Sequence, residues 1–112
     1  MTTYQHGDVI LKKINELPDD LKVKTTNVLA EGEHTGHYHS LCPKGTQLAR
    51  YKEIPGLTFY SDKNGNSYVK IDTELDLLHQ EHAKIEVPPA IYKVEIVREY
   101  DHFAQEARNV ED

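Results

Sequence analysis

The chain has 112 residues, enough for one domain, which excludes a two-domain enzyme with a separate cofactor module. Its 19 Asp and Glu residues outnumber 13 Lys and Arg residues, and the net charge of −6 argues against nucleic acid as a partner. Cys42 is the single cysteine, and neither a secretion signal nor an apolar run of roughly 18 residues is present, so we expect a protein of the reducing cytoplasm without a membrane partner.

Short runs of alternating apolar and polar residues, separated by Gly, Pro, Asn and Asp, predict an all-β fold. We expect a small antiparallel β-barrel or sandwich. In the first half of the chain, the predicted strands are residues 8–14, 28–31, 37–41 and 46–52. Gly32 and Gly36 bracket a sharp bend before the third of these strands.

A β-hairpin is predicted in the middle of the chain. Residues 57–60 and 67–71 are rich in β-branched and aromatic side chains, and they flank the segment 62–66. That segment contains Asn64-Gly65, a pair that favours the positive φ angles of tight turns.

Residues 73–82 fit two interpretations. Their leucines and histidines recur at helical spacing, while Leu75, Leu77 and His79 also alternate as in a strand. The segment is short and its neighbours are strand-like, which favours a strand.

The last predicted strand covers residues 91–100, with Tyr92 and Val94 on the buried face. We therefore expect one β domain over residues 1–101, followed by an acidic tail over 102–112 that could form a short helical turn. The apolar fraction of 38% is low, which is compatible with a homodimer, the commonest oligomer.

The histidine pattern points to a divalent metal ion. His37 and His39 stand two residues apart on a predicted strand, so both side chains leave the same face. His79 and His82 lie about 40 residues downstream and could supply further nitrogen ligands. Three protein ligands and a water form an open, chemically active site, and imidazole suits zinc, iron, nickel, copper or manganese.

Two carboxylates accompany these histidines. Glu33 and Glu81 are candidates for acid–base work or for accepting an imidazole N–H. The remaining histidines, His6, His34 and His102, are expected to be exposed polar residues rather than ligands.

Several segments resemble a group of small bacterial and phage-encoded proteins of unassigned function, namely Thr35-Gly36-His37-Tyr38-His39 and His79-Gln80-Glu81-His82. More distantly, Gly32 followed by His37 and His39 resembles the first motif of the cupin barrels. That resemblance implies a small barrel whose inward histidines hold a divalent metal. Pro43 and Lys44 stand where a cupin carries its glutamate.

The sequence thus supports two functions. The first is a divalent-metal-binding β-barrel, acting as a metal-dependent enzyme on a small polar substrate. The second is a non-catalytic phage or bacterial binding module whose histidines are structural or sense pH. Spacing alone leaves both open, because seven histidines in 112 residues give about 0.43 His-x-His pairs by chance.

Overall fold

The computed structural model describes residues 2–32 and 35–97. Within them the chain forms ten strands. The strands are β1 Thr3–His6, β2 Val9–Ile14, β3 Lys22–Lys24, β4 Val28–Glu31, β5 Tyr38–Pro43, β6 Leu57–Ser61, β7 Ser67–Ile71, β8 Leu75–Leu78, β9 Ile85–Val87 and β10 Ala90–Ile96.

The strands form two antiparallel sheets, which confirms the all-β prediction. The first sheet has six strands in the order β1-β2-β10-β7-β6-β3, and the second has four in the order β4-β5-β8-β9. Neither sheet closes on itself within the described part of the chain, since each ends in two edge strands. Adjacent strands are mostly joined by short turns, which suits antiparallel pairing.

One hydrophobic core joins the two sheets. The alternation predicted for the last strand is present in β10, where Tyr92 and Val94 are buried and paired with neighbours in β2 and β7. The buried residues from the six-stranded sheet are Val9, Leu11, Phe59, Val69, Ile71, Tyr92 and Val94, and those from the four-stranded sheet are Leu41, Leu75, Leu77 and Val87. The end of the predicted strand at Tyr100 and the acidic tail lie outside the described residues.

The predicted hairpin is confirmed as β6 paired with β7. Gly65 has φ of 88° in the connecting loop, as a tight turn requires. The Asp62 carboxylate accepts hydrogen bonds of 2.9 Å from the backbone N–H groups of Asn64 and Asn66. This local network fixes the turn and therefore the register of the hairpin.

The strand predicted at residues 46–52 is wrong, because this segment is bonded to a side chain instead of a neighbouring strand. The fully buried Asn27 donates through Nδ2 to the Ala49 carbonyl at 2.9 Å, and its Oδ1 accepts from the Lys52 N–H at 3.0 Å. Asn27 Nδ2 also donates to the Leu41 carbonyl in β5. One amide side chain thus holds the loop against the second sheet.

The ambiguous segment 73–82 contains β8, so the strand interpretation is correct for its first half. β8 pairs with β5 on one side and with β9 on the other. It stops at Leu78, and the chain bends over residues 80–82 before β9. This bend brings His79 and His82 back towards β5.

Candidate metal centre

Three of the four predicted metal ligands come together at one end of the second sheet. His39 lies in β5 and is 5% exposed, whereas His79 and His82 follow the end of β8. One ring nitrogen from each residue lies within 4.8 Å of the others. The ring centroids of His79 are 4.4 Å from those of both His39 and His82. Nitrogens this close can reach a shared ion with small side-chain movements.

His37 lies outside this triad. The prediction assumed that His37 and His39 share a strand, but β5 begins at Tyr38 and His37 precedes it. Its Nδ1 lies 3.6 Å from the Oε1 atom of Glu81 instead. His37 therefore occupies the rim, next to the predicted acid–base residue Glu81, whose side chain is 70% exposed. The second predicted acid–base residue, Glu33, lies outside the described residues.

His6, expected to be exposed, is buried beside the triad, with 3% of its surface accessible. Its Nδ1 lies 2.9 Å from Nδ1 of His39, and its Nε2 lies 2.9 Å from the Ala83 carbonyl oxygen. The signal for this burial is the alternation in β1, where Tyr4 and His6 point inward and Gln5 points outward. His6 belongs to the first sheet and His39 to the second, so the pair bridges the two.

A tight turn at Gly7 and Asp8 closes one side of the cluster. These residues form the two-residue loop between β1 and β2, with Gly7 at φ of 63°, a position that favours glycine. A Cβ atom on Gly7 would lie 2.6 Å from Nε2 of His82 and 3.2 Å from Cε1 of His39. The turn also brings Asp8 Oδ1 to 3.1 Å from His39 Nε2.

Burial favours the neutral form of three of the rings, those of His6, His39 and His79. Burial, together with the nearby His79 and His6 rings, lowers the pKa of His39 to about 4, against the opposing attraction of Asp8. Burial also lowers the pKa of His6 and of His79, and the neighbouring His82 adds to both effects. Neutral imidazoles offer a lone pair to a metal ion without first losing a proton at neutral pH.

The hydrogen bonds of His79 set a condition on its use as a ligand. Its Nδ1 accepts the backbone N–H groups of Glu81 at 2.9 Å and His82 at 3.3 Å. A neutral ring that accepts at Nδ1 carries its proton on Nε2. Coordination through Nε2 therefore requires a change of tautomer and the loss of the bonds at Nδ1.

The triad opens into a cavity of about 230 Å³, which we call the histidine cavity. Carboxylates and imidazoles supply most of its polar groups, and the Glu31 carboxylate is held at its edge by the Tyr51 hydroxyl and by Arg50. The lining residues are Asp8, Ala30, Glu31, Gly32, Thr35, His37, His39, His79, Glu81 and His82. A space of this size admits water and a small polar molecule.

The chemistry of the donor set suits a borderline divalent ion. Three imidazole nitrogens fit zinc, iron, nickel, copper or manganese, and the adjoining cavity leaves room for water at a further coordination position. Cys42, in contrast, is buried among Asn27 and the Ala49 carbonyl. It therefore contributes to the attachment of the loop rather than to this centre.

Within residues 2–32 and 35–97, the fold includes no helix with the length and apolar character needed to cross a bilayer.

Comparisons with curated proteins and with solved structures gave no significant match. The profile of a family described as a domain of unknown function matches residues 5–97, a range that holds the whole histidine triad and both sheets except the first two residues of β1. The chain therefore belongs to the DUF8820 family.

Proposed function

We propose that this protein binds a divalent metal ion through His39, His79 and His82 and uses it on a small polar substrate. The observation that carries the proposal is the approach of three ring nitrogens within 4.8 Å of one another, from segments about 40 residues apart. Isolated histidines on a polar face have no reason to converge in this way. Their convergence beside a cavity is typical of an open metal site.

A bound ion would activate water or polarise a substrate oxygen in the histidine cavity. Glu81 is a candidate for proton transfer, because it lines the cavity and is largely exposed. Asp8, Glu31 and Glu81 are all carboxylates, and only Glu31 has an Arg partner. The two carboxylates without an Arg partner, Asp8 and Glu81, would balance the charge of a divalent ion in the cavity.

For the architecture, we propose a small sandwich or open barrel with cupin-like, inward-facing histidines. The shared core of the two sheets supports this arrangement. The cupin glutamate has no counterpart here, since Pro43 ends β5 and Lys44 is paired with Glu74. A fourth protein ligand would thus have to come from another part of the chain.

Metal analysis of protein purified without a histidine tag tests the proposal. The wild type, after chelation and reloading, is expected to hold one ion per chain. His39→Gln and His82→Gln should each lose most of this ion, while His37→Gln at the rim serves as the matched control and should keep it. Equal metal content in all four proteins would contradict the proposed site.

A second candidate is a non-catalytic module in which the histidines join the two sheets. The contacts of His6 with His39 and with Ala83 favour it, because they satisfy buried polar groups without an ion. This candidate predicts the same thermal midpoint with and without metal. The metal site predicts a rise in the midpoint on adding zinc, since a ligand that binds only the folded state stabilises it.

A further inference from the structure

A chain of three polar contacts runs through the buried histidines. The Ala83 carbonyl oxygen lies 2.9 Å from His6 Nε2, and the Nδ1 atoms of His6 and His39 lie 2.9 Å apart. His39 Nε2 lies 3.1 Å from Asp8 Oδ1. This series of contacts therefore begins at a carbonyl and ends at a carboxylate. An ionised carboxylate, like a carbonyl, can only accept hydrogen bonds.

Two neutral rings cannot satisfy three such contacts, because each carries one proton. The carbonyl requires the proton of His6 on Nε2, so His6 Nδ1 accepts from the N–H of His39 Nδ1. The lone pair of His39 Nε2 then faces the Asp8 carboxylate, and two acceptors 3.1 Å apart repel. A positive charge between the two atoms, supplied by a proton or by a metal ion, would remove this repulsion.

A third proton is a poor source of that charge. His39 is 5% exposed, and the His79 and His82 rings lie beside it, with centroids at 4.4 and 5.7 Å. A charged ring in this position would lose its hydration and face further imidazoles. A metal ion, in contrast, uses the same imidazoles as ligands.

We propose that Asp8 is a fourth ligand, which binds the same ion as His39 Nε2, and that His6 is a positioning residue that fixes the tautomer of His39. This inference rests on the proposed metal site. Nε2 and Oδ1 are 3.1 Å apart, so an ion about 2.1 Å from each would have an Nε2–ion–Oδ1 angle of about 95°. This angle suits two adjacent ligands. The Asp8 side chain is 57% exposed, and it lines the same cavity as His79 and His82. It can therefore turn towards the ion without disturbing the core.

The test is a titration of the metal-free full chain with Co²⁺, followed by its visible absorption bands. In Asp8→Asn, the amide N–H can donate to His39 Nε2 and so satisfy the contact without an ion. We expect this variant to fold normally and to bind Co²⁺ at least about tenfold more weakly, with shifted bands. Asp19→Asn, which makes the same change in an exposed turn beyond the other end of β2, should match the wild type.

Two substitutions of His6 test its positioning role. The Asn side chain of His6→Asn can still accept the His39 Nδ1–H, so binding should stay within about threefold of the wild type. His6→Leu removes the acceptor and should weaken Co²⁺ binding by about 10–100-fold. Thermal unfolding of the metal-free variants shows whether each is folded.

The outcomes separate this inference from the proposed function. If the wild type binds Co²⁺ and Asp8→Asn binds it equally well with the same bands, Asp8 is no ligand and the inference fails while the metal site stands. If His6→Leu folds and binds as the wild type does, the positioning role is refuted. A wild type that binds no Co²⁺ overturns the proposed function together with the inference.

Discussion

Replacing Gly7 by alanine should weaken metal binding far more than it weakens the fold. Gly7 has φ of 63° and Gly65, at the tip of the β6–β7 hairpin, has φ of 88°. An alanine at either position is forced into a left-handed conformation that costs about 1–2 kcal/mol. The two substitutions should therefore lower the free energy of unfolding of the metal-free protein by similar amounts.

The surroundings of Gly7 and Gly65 differ. A Cβ atom at position 65 meets nothing within 4 Å, whereas one at position 7 lies 2.6 Å from His82 Nε2. Ordinary contact begins at 3.4 Å, so the His82 ring must move by about 0.8 Å. His82 is exposed, so this movement costs little in stability. Metal–ligand distances tolerate only about 0.2 Å, however, so the displaced ring is a poor ligand.

Zinc affinity, measured by competition with a chromophoric chelator, provides the assay, and urea denaturation in chelator gives the stabilities. We expect Gly7→Ala to bind zinc at least about tenfold more weakly than the wild type, equivalent to about 1.4 kcal/mol. Gly65→Ala should bind within about twofold of the wild type. Equal zinc affinities of the two variants would refute the inferred role of His82 and of the Gly7 turn.

Three further predictions concern stability. Because the pKa of His39 is lowered to about 4, protonation of this ring favours the unfolded state, and the free energy of unfolding of the metal-free protein should fall by up to about 3 kcal/mol as the pH falls from 6.5 towards 4. In urea denaturation with chelator, the free energy of unfolding of His39→Gln should fall less with decreasing pH than that of the wild type. The same pH dependence in both proteins would show that His39 is not the cause. Burial raises the pKa of Tyr92 to about 12, so the contribution of the neutral phenol to the free energy of unfolding should be complete below pH 10 and lost between pH 10 and 12. Unfolding of the wild type and of Tyr92→Phe at alkaline pH checks this, because the variant should lack the loss. Asn27→Ala should lower the free energy of unfolding by about 2–4 kcal/mol, because it removes three hydrogen bonds between a fully buried side chain and the backbone, whereas Asn64→Ala in an exposed loop should change it by less than about 0.5 kcal/mol.

The parts of the fold that sequence predicts well are those decided by neighbouring residues. The β6–β7 hairpin depends on Asn64-Gly65 and on alternation in the two flanking runs, all within 15 residues. The strand predicted at 46–52 shows the opposite case. Its alternation resembles that of a strand, but its partner is the side chain of Asn27, about 20 residues earlier, and no local pattern reveals that choice.

The same distinction applies to the site. The paired motifs point to the region in which His39, His79 and His82 come together, because closely spaced histidines are visible in the sequence. His6 stands alone near the start of the chain, and its role depends on the packing of β1 against the second sheet. The position of His37 outside the triad has a related cause: whether it shares a face with His39 depends on where β5 begins, and strand ends are poorly specified by local pattern.

The clustered rings of residues 6, 39, 79 and 82 come from distant parts of the chain, which bears on when the proposed ion could bind during synthesis. A ribosome that has released only the first half of the chain has produced two of these four rings, one on β1, which already has its partner β2, and one on β5, which still lacks its second partner β8. Full-affinity capture therefore has to wait until translation has passed residue 82 and the two sheets have met. Loading should consequently be a property of the finished molecule, with any earlier encounter between ion and nascent chain weak and short-lived.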